Sequence, residues 1–199
     1  MKNLRKSIQS FTLFAGLLFM STPIFAQSTW KVDPAHAKVT FSTVHNTISD
    51  VEGLFNAFES DITASKEDFS DAVFTLSVDV NSIDTEIKMR DDHLRSADFF
   101  EVEKFPKMTF KSTSVDKTKE KNHYKLKGNL TMHGVTKAIT MDLWYRGTIT
   151  DAQSGNLIAG FQITGSLNRL DFGVGPKFPE ALISNEVIIK ADGEYIKQK

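Results

Sequence analysis

The segment Tyr124–Met132, YKLKGNLTM, decides the fold. Tyr124, Leu126, Gly128, Leu130 and Met132 fall on one side of an extended chain, and Lys125, Lys127, Asn129 and Thr131 fall on the other. Only a strand sorts side chains with a period of two; a helix would gather them every three or four positions. His133-Gly134 follows as a turn pair, and the alternation then resumes. Ile139, Met141, Leu143, Tyr145 and Ile149 form its apolar set, with Thr140, Asp142, Arg146 and Thr148 opposite. The pair reads as one hairpin.

The same pattern extends in both directions. Leu157–Leu167 aligns Leu157, Ala159, Phe161, Ile163 and Leu167, and Asn185–Ile196 aligns Val187, Ile189, Ala191 and Tyr195. Upstream, Ala72–Val80 aligns Ala72, Phe74, Leu76, Val78 and Val80, and Val39–His45 aligns Val39 with Phe41. Weaker strands are predicted at Gly53–Ile62 and Met108–Val115. Short polar links at Lys121–Asn122 and Asp151–Asn156 leave no room for parallel crossovers, so the strands pair antiparallel. The fold class is all-β with about eight strands. A closed barrel leaves no unpaired edge and is favoured over a two-sheet sandwich, which buries one face per strand equally well. An outer-membrane barrel would turn its apolar face outward, whereas here the outer faces carry lysines and acids.

One stretch breaks the pattern: Ile83–Phe110, IDTEIKMRDDHLRSADFFEVEKFPKMTF. Arg90, Asp91, His93 and Arg95 crowd before Phe99–Phe100, a density of charge and aromatic surface that is costly to bury unpaired. It is predicted to be an ordered flap or short helix on the rim of the barrel. The lumen beneath is then lined by Phe41, Phe74, Leu76, Phe110, Leu126, Leu130, Met132, Met141, Leu143, Phe161 and Ile163. Such side chains either fill a core or line a greasy tunnel. A tunnel suits a long apolar chain: each buried methylene is worth ~0.8 kcal/mol, so about twenty carbons leave a surplus after association costs.

The ends and the composition bound the rest. Lys2, Arg5 and Lys6, the apolar run Phe11–Met20, and Pro23 to Ala26 have the layout of a cleaved secretion signal over residues 1–26. Residues 27–199 then form one domain, exported to the periplasm or beyond, with no permanent membrane span. Losing three basic residues takes the formal charge from −1 to about −4, which offers no nucleic-acid footprint. The chain has no cysteine, which excludes disulfide staples and a lipid-modified N-terminus.

Across most of this length the sequence resembles the YceI-like family. The resemblance rests on Trp30-Lys-Val-Asp33-Pro34-Ala-His36, on Val39, Phe41, His45, Val51, Gly53 and Phe55, and on Thr85–Phe100. It continues through Phe105-Pro106, Thr109-Phe110, Ser112, Gly128–Lys137 and Arg169–Val174. The resemblance implies an extended lipocalin-like antiparallel barrel with a tunnel for polyisoprenoid or similarly long amphiphilic lipids. It also implies a periplasmic or secreted location and, in some members, a homodimer. Ala37 stands where a serine is usual, and Asn46-Thr47 where an apolar-Gly pair is usual. Both are expected near a barrel mouth.

Polar chemistry is sparse. His36, His45, His93 and His133 lack the spacing of a local metal motif, and no cofactor is expected. No nucleophile elbow or phosphate loop is present. Arg90, Asp91 and His93, with Asp98, are expected to pin the flap or meet a lipid head group; acid–base catalysis by this cluster is the enzyme alternative. Arg169 and Asp171 read as a strand-end pair fixing the Gly173–Pro179 loop, and His45 joins them at the rim. The sequence thus points to a lipid carrier, with a lipid-directed enzyme or a filled-barrel interaction module as rivals.

Overall fold

The computed structural model describes residues 27–199; the expected leader lies outside them. Ten strands and one α-helix follow one another: β1 (Ser28–His45), β2 (Ser49–Phe55), β3 (Phe58–Ala64), β4 (Val73–Asp79), β5 (Ile83–Asp84), α1 (Lys88–Arg95), β6 (Lys107–Lys117), β7 (His123–Met132), β8 (Val135–Thr150), β9 (Leu157–Asn168) and β10 (Ile183–Lys197). All pairings are antiparallel, and β10 returns to β1. The ring β1–β3–β4–β6–β7–β8–β9–β10 is a closed eight-stranded barrel. Closure decides against the sandwich.

The decisive hairpin forms as read. Tyr124, Leu126, Leu130 and Met132 are buried while Lys125, Lys127 and Asn129 are exposed, and β7 pairs with β8 from His123↔Trp144 to Met132↔Val135. His133 (φ 50°) and Gly134 (φ 75°) make its turn in the left-handed region.

Three expectations need correction. The first strand begins at Ser28, not Val39. Asp33–His36 bulges from it: Val32 pairs with Tyr195 and Ala37 with Gly193, so four residues stand opposite Glu194 alone. Pro34 lacks an N–H and fits only such an unpaired position. Next, Gly53–Ile62 is not one strand, because Asn56 and Ala57 turn away to bond Ser82 and Asp79. β2 covers the upper half of β1 and β3 its lower end, with β5 added at the edge of β2. Finally, Ile149 does not continue the inner face. A bulge at Arg146, just before Gly147 (φ 126°), shifts the register, and Ile149 is left 64% exposed.

Two apolar clusters close the barrel. At one end Phe69, on the β3–β4 loop, is a plug: its ring sits 4.9 Å from Phe161, 5.0 Å from Tyr145 and 5.3 Å from Trp30. At the other end Phe55, Phe99, Phe172 and Val174 pack beneath α1 and the loops beside it. Phe99 stacks on Phe178 at 4.7 Å.

The plug loop is tied down electrostatically. Asp68 meets Lys117 at 2.7 Å, and Tyr124 donates to the Asp68 carbonyl. The Lys117 ammonium pulls the Asp68 pKa down to about 2. A depressed carboxylate pKa contributes stability above the unfolded value near 4, and this contribution is lost as pH falls towards 2. We therefore expect Asp68→Asn to lower the melting temperature slightly at pH 7, the pair being exposed, with the two proteins converging near pH 2. A difference that persists undiminished at that pH would show that the ion pair is not its source.

Candidate functional site

The barrel interior holds two apolar cavities. The lower one has a volume of about 90 Å³ and the upper one about 100 Å³. Each is smaller than the ~300–1,000 Å³ of a preformed small-molecule site, so a long ligand must push these side chains aside as it enters. Met108 and Ile189 line both, so the two spaces adjoin on either side of those side chains.

Eight of the eleven expected lumen residues line the lower cavity: Phe74, Leu76, Phe110, Leu126, Leu130, Met141, Phe161 and Ile163. Phe41 and Met132 line the upper one. Leu143 points inward but packs in the end cluster and lines neither. Mid-barrel residues Leu76, Phe110, Ile139, Ile163 and Ile189 are only half-buried although they face inward. Inward side chains that keep accessible surface border unfilled space, which argues against a filled barrel.

Glycines help to keep that space. Phe110 lies over Gly128, Phe41 over Gly53 and Met141 over Gly165, so each bulky side chain rests flat on the wall rather than across the lumen. A Cβ at Gly128 would overlap the Phe110 ring and lie 2.6 Å from the Lys111 carbonyl.

The charged residues of the flap are committed to one another. Thr85 donates from its backbone N to Asp91 Oδ1 (2.9 Å), and its hydroxyl donates to the same oxygen. Arg90 Nε donates to the Thr85 hydroxyl (2.7 Å) and its Nη2 to the Thr85 carbonyl (2.6 Å). Arg95 anchors α1 to the carbonyls of Asn81 and Ile83. Asp91 is 7% exposed, so it offers no free carboxylate at a rim. His93 stands apart on the helix, edge-on to Phe99 and Phe178, with Nε2 3.5 Å from Asp98. Lys177 holds the Asp98 carboxyl below its usual pKa.

Arg169 does not pair with Asp171. It is 4% exposed and donates to the carbonyls of Val174, Gly175, Phe178, Ile183 and Ser184, fixing the loop after β9 by itself. Burial lowers its pKa, with Glu180 opposing. Asp171 is exposed, and His45 is half-buried at the end of β1. These rim residues therefore do not converge on one point.

Sequence reasoning missed two features. Asp33, His36 and Glu194 come together on the bulge, where His36 Nδ1 is 2.8 Å from Asp33 and 3.9 Å from Glu194. The Asp33 carboxylate raises the His36 pKa. Glu194 comes from β10, and no sequence spacing links it to the other two. The second is a groove on the outer wall beside the same bulge, lined by Pro34, Leu54, Glu59, Ser77 and Lys107 among others. Ala37, Lys38, Val39 and Phe58 line both this groove and the lower cavity. Ala37 thus lies at the side of the barrel rather than at its mouth, while Asn46-Thr47 forms the β1–β2 turn.

The YceI-like domain model matches residues 30–195. The chain is 36% identical to Protein YceI of Salmonella newport (strain SL254) over 198 residues, covering 98% of this chain and 100% of that one. The chain belongs to the YceI-like family. Its barrel superposes on Burkholderia cenocepacia BcnA with a TM-score of 0.72 at 23% identity, covering 82% of this chain and 98% of that one. It also superposes on a polyisoprenoid binding domain from Saccharophagus degradans, with a TM-score of 0.65 at 16% identity and coverage of 87% and 100%. The last two likenesses are of fold. Among the described residues of this YceI-like chain, no helix is long and apolar enough to cross a membrane.

We expect Gly128→Ala to displace Phe110 and cost about 1–3 kcal/mol by urea unfolding, an overpacking penalty. Adding Phe110→Leu should recover only the part owed to the ring, since the Lys111 carbonyl still crowds the new Cβ. A Gly128→Ala protein as stable as the parent would mean that the ring is not seated on the glycine.

Proposed function

We propose that this YceI-like protein is an exported carrier that holds a long isoprenoid or similar amphiphilic lipid inside its barrel. The observation that carries the reading is the pair of adjoining cavities, lined mainly by Phe, Leu, Ile, Met and Val side chains. Water gains little from such walls, while a hydrocarbon chain gains ~0.8 kcal/mol per buried methylene. The name of the Saccharophagus degradans domain fits this reading, as does family membership. The leader-like residues 1–26 support export to the periplasm or beyond.

The enzyme alternative finds less support. Arg90 is spent on Thr85, and His93 faces Asp98 and two phenylalanines rather than the lumen. Binding requires no catalytic group.

Native mass spectrometry after gentle purification should show a co-purifying apolar ligand, and the emptied protein should take up a fluorescent polyprenyl probe. Leu76→Trp, which fills part of the lower cavity, should weaken that uptake about tenfold, or ~1.4 kcal/mol, while preserving the melting temperature. A protein that carries no lipid and ignores the probe would refute the carrier.

A further inference from the structure

Both ends of the barrel are shut, yet its wall is open at one place. Lys31 pairs with Asp61 and Val39 with Phe55, but no residue of Val32–Lys38 is paired with any of Asn56–Ser60. The bulge of β1 on one side and the break between β2 and β3 on the other hold these edges apart. Here the lower cavity and the outer groove share Ala37, Lys38, Val39 and Phe58. They face each other across a gap in the ladder, separated by these side chains of β1 and β3.

Polarity within the cavity follows this gap. The polar residues at its border, Lys38, Ser60, Thr75, Asp192 and Tyr195, all come from β1, β3, β4 and β10, four successive strands around the gap. Ser60 and Tyr195 face inward, while Lys38, Thr75 and Asp192 alternate with the inward Val39, Leu76 and Ala191. Strands β6 to β9 contribute only apolar side chains. The Ser60 and Tyr195 hydroxyls bond each other at 2.8 Å, and Asp192 is held by Gln162 at 2.7 Å and Arg146 at 3.3 Å. Lys38, exposed at the gap, has no carboxylate within 4 Å among the described residues. The upper cavity offers nothing comparable. Its polar residues are Thr43, bonded to Ser184, and Arg169, whose donors are taken by carbonyls. A polar head buried there would lose its water without gaining a partner.

We propose that the ligand of the carrier described above is admitted through the side of the barrel. Its hydrocarbon end runs up beneath the flap, and its head rests at the gap, where an acceptor oxygen meets the Lys38 ammonium. The ligand class is a long-chain amphiphile with a compact oxygen-bearing head. The flap then covers the tail, and the head group lies far from Arg90 and His93.

The absence of cysteine makes the test direct. A nitroxide maleimide is placed on Lys38→Cys, on Ala37→Cys as a second position at the gap, and on Met89→Cys, which is 83% exposed on α1. Each protein is offered a polyprenol carrying a fluorophore at its hydroxyl end. Nitroxide at 37 or 38 should quench the bound fluorophore and slow uptake about tenfold, whereas nitroxide at 89 should do neither. Equal quenching from all three positions, or quenching from 89 alone, overturns the side gap while leaving the carrier standing. Unmodified protein that takes up no probe removes the carrier and the gap together.

Discussion

Everything in this molecule depends on the return of β10 to β1. Trp30↔Lys197 through His45↔Ile183 closes the sheet into a ring, and from then on the wall is spaced by backbone hydrogen bonds rather than by side-chain contact. Two sheets of a sandwich can slide together until their side chains fill the space between them. Eight closed strands cannot, because shrinking the ring would break ladder bonds along its whole length. Closure therefore fixes the interior volume, and the sizes of the inward residues decide how much of it stays empty.

That choice differs along the barrel axis. At the lower end Phe69 meets Trp30 and Phe161 edge to face, with Tyr145 tilted against it and stacked on Phe161, and together they fill the bore. At mid-barrel the large residues are placed over glycines instead, so their rings and sulfur lie along the wall. The same residue types thus give a plug where they face one another and a lining where they face a glycine. Ser60 and Tyr195 satisfy each other at the border, leaving no hydroxyl unpaired against hydrocarbon.

Strand identity was largely legible because one-sided burial writes itself as alternation, as in Tyr124–Met132 and Leu157–Leu167. The flap was legible too, since a charged, helix-forming run between strands has few other uses. What failed was local. The strand reads only from Val39 because Asp33–His36 breaks the alternation, yet long pairing to β10 on either side carries the strand through it. Asn56-Ala57 lies within an acceptable alternation, and only its bonds to Ser82 and Asp79 break it. Arg169 reads as half of an ion pair because sequence offers Asp171 nearby, whereas a buried guanidinium with five donors can be satisfied by carbonyls alone. The lumen residues were legible as a set from their parity. Which of them border empty space was not, because that depends on diagonal neighbours such as Gly128 and Phe110.

In the proposed carrier a closed, dry chamber must open to admit its ligand, and the weakest element of its wall decides where. Lifting the flap would expose Asp91 and break its bonds to Thr85, together with those of Arg90 and Arg95. Moving the loop after β9 would strand the carbonyls that Arg169 holds, at about 1–3 kcal/mol for each buried group left unsatisfied. Displacing Phe69 would unstack three aromatic contacts and the ties of Asp68. Parting β1 from β3 between Val32 and Lys38 breaks no ladder pairing, because none is made there. The deformation of lowest cost is in the wall, beside the polar end of the cavity. A tail entering there leaves its head in water, so the ~2–7 kcal/mol penalty of burying an unpartnered polar group never arises.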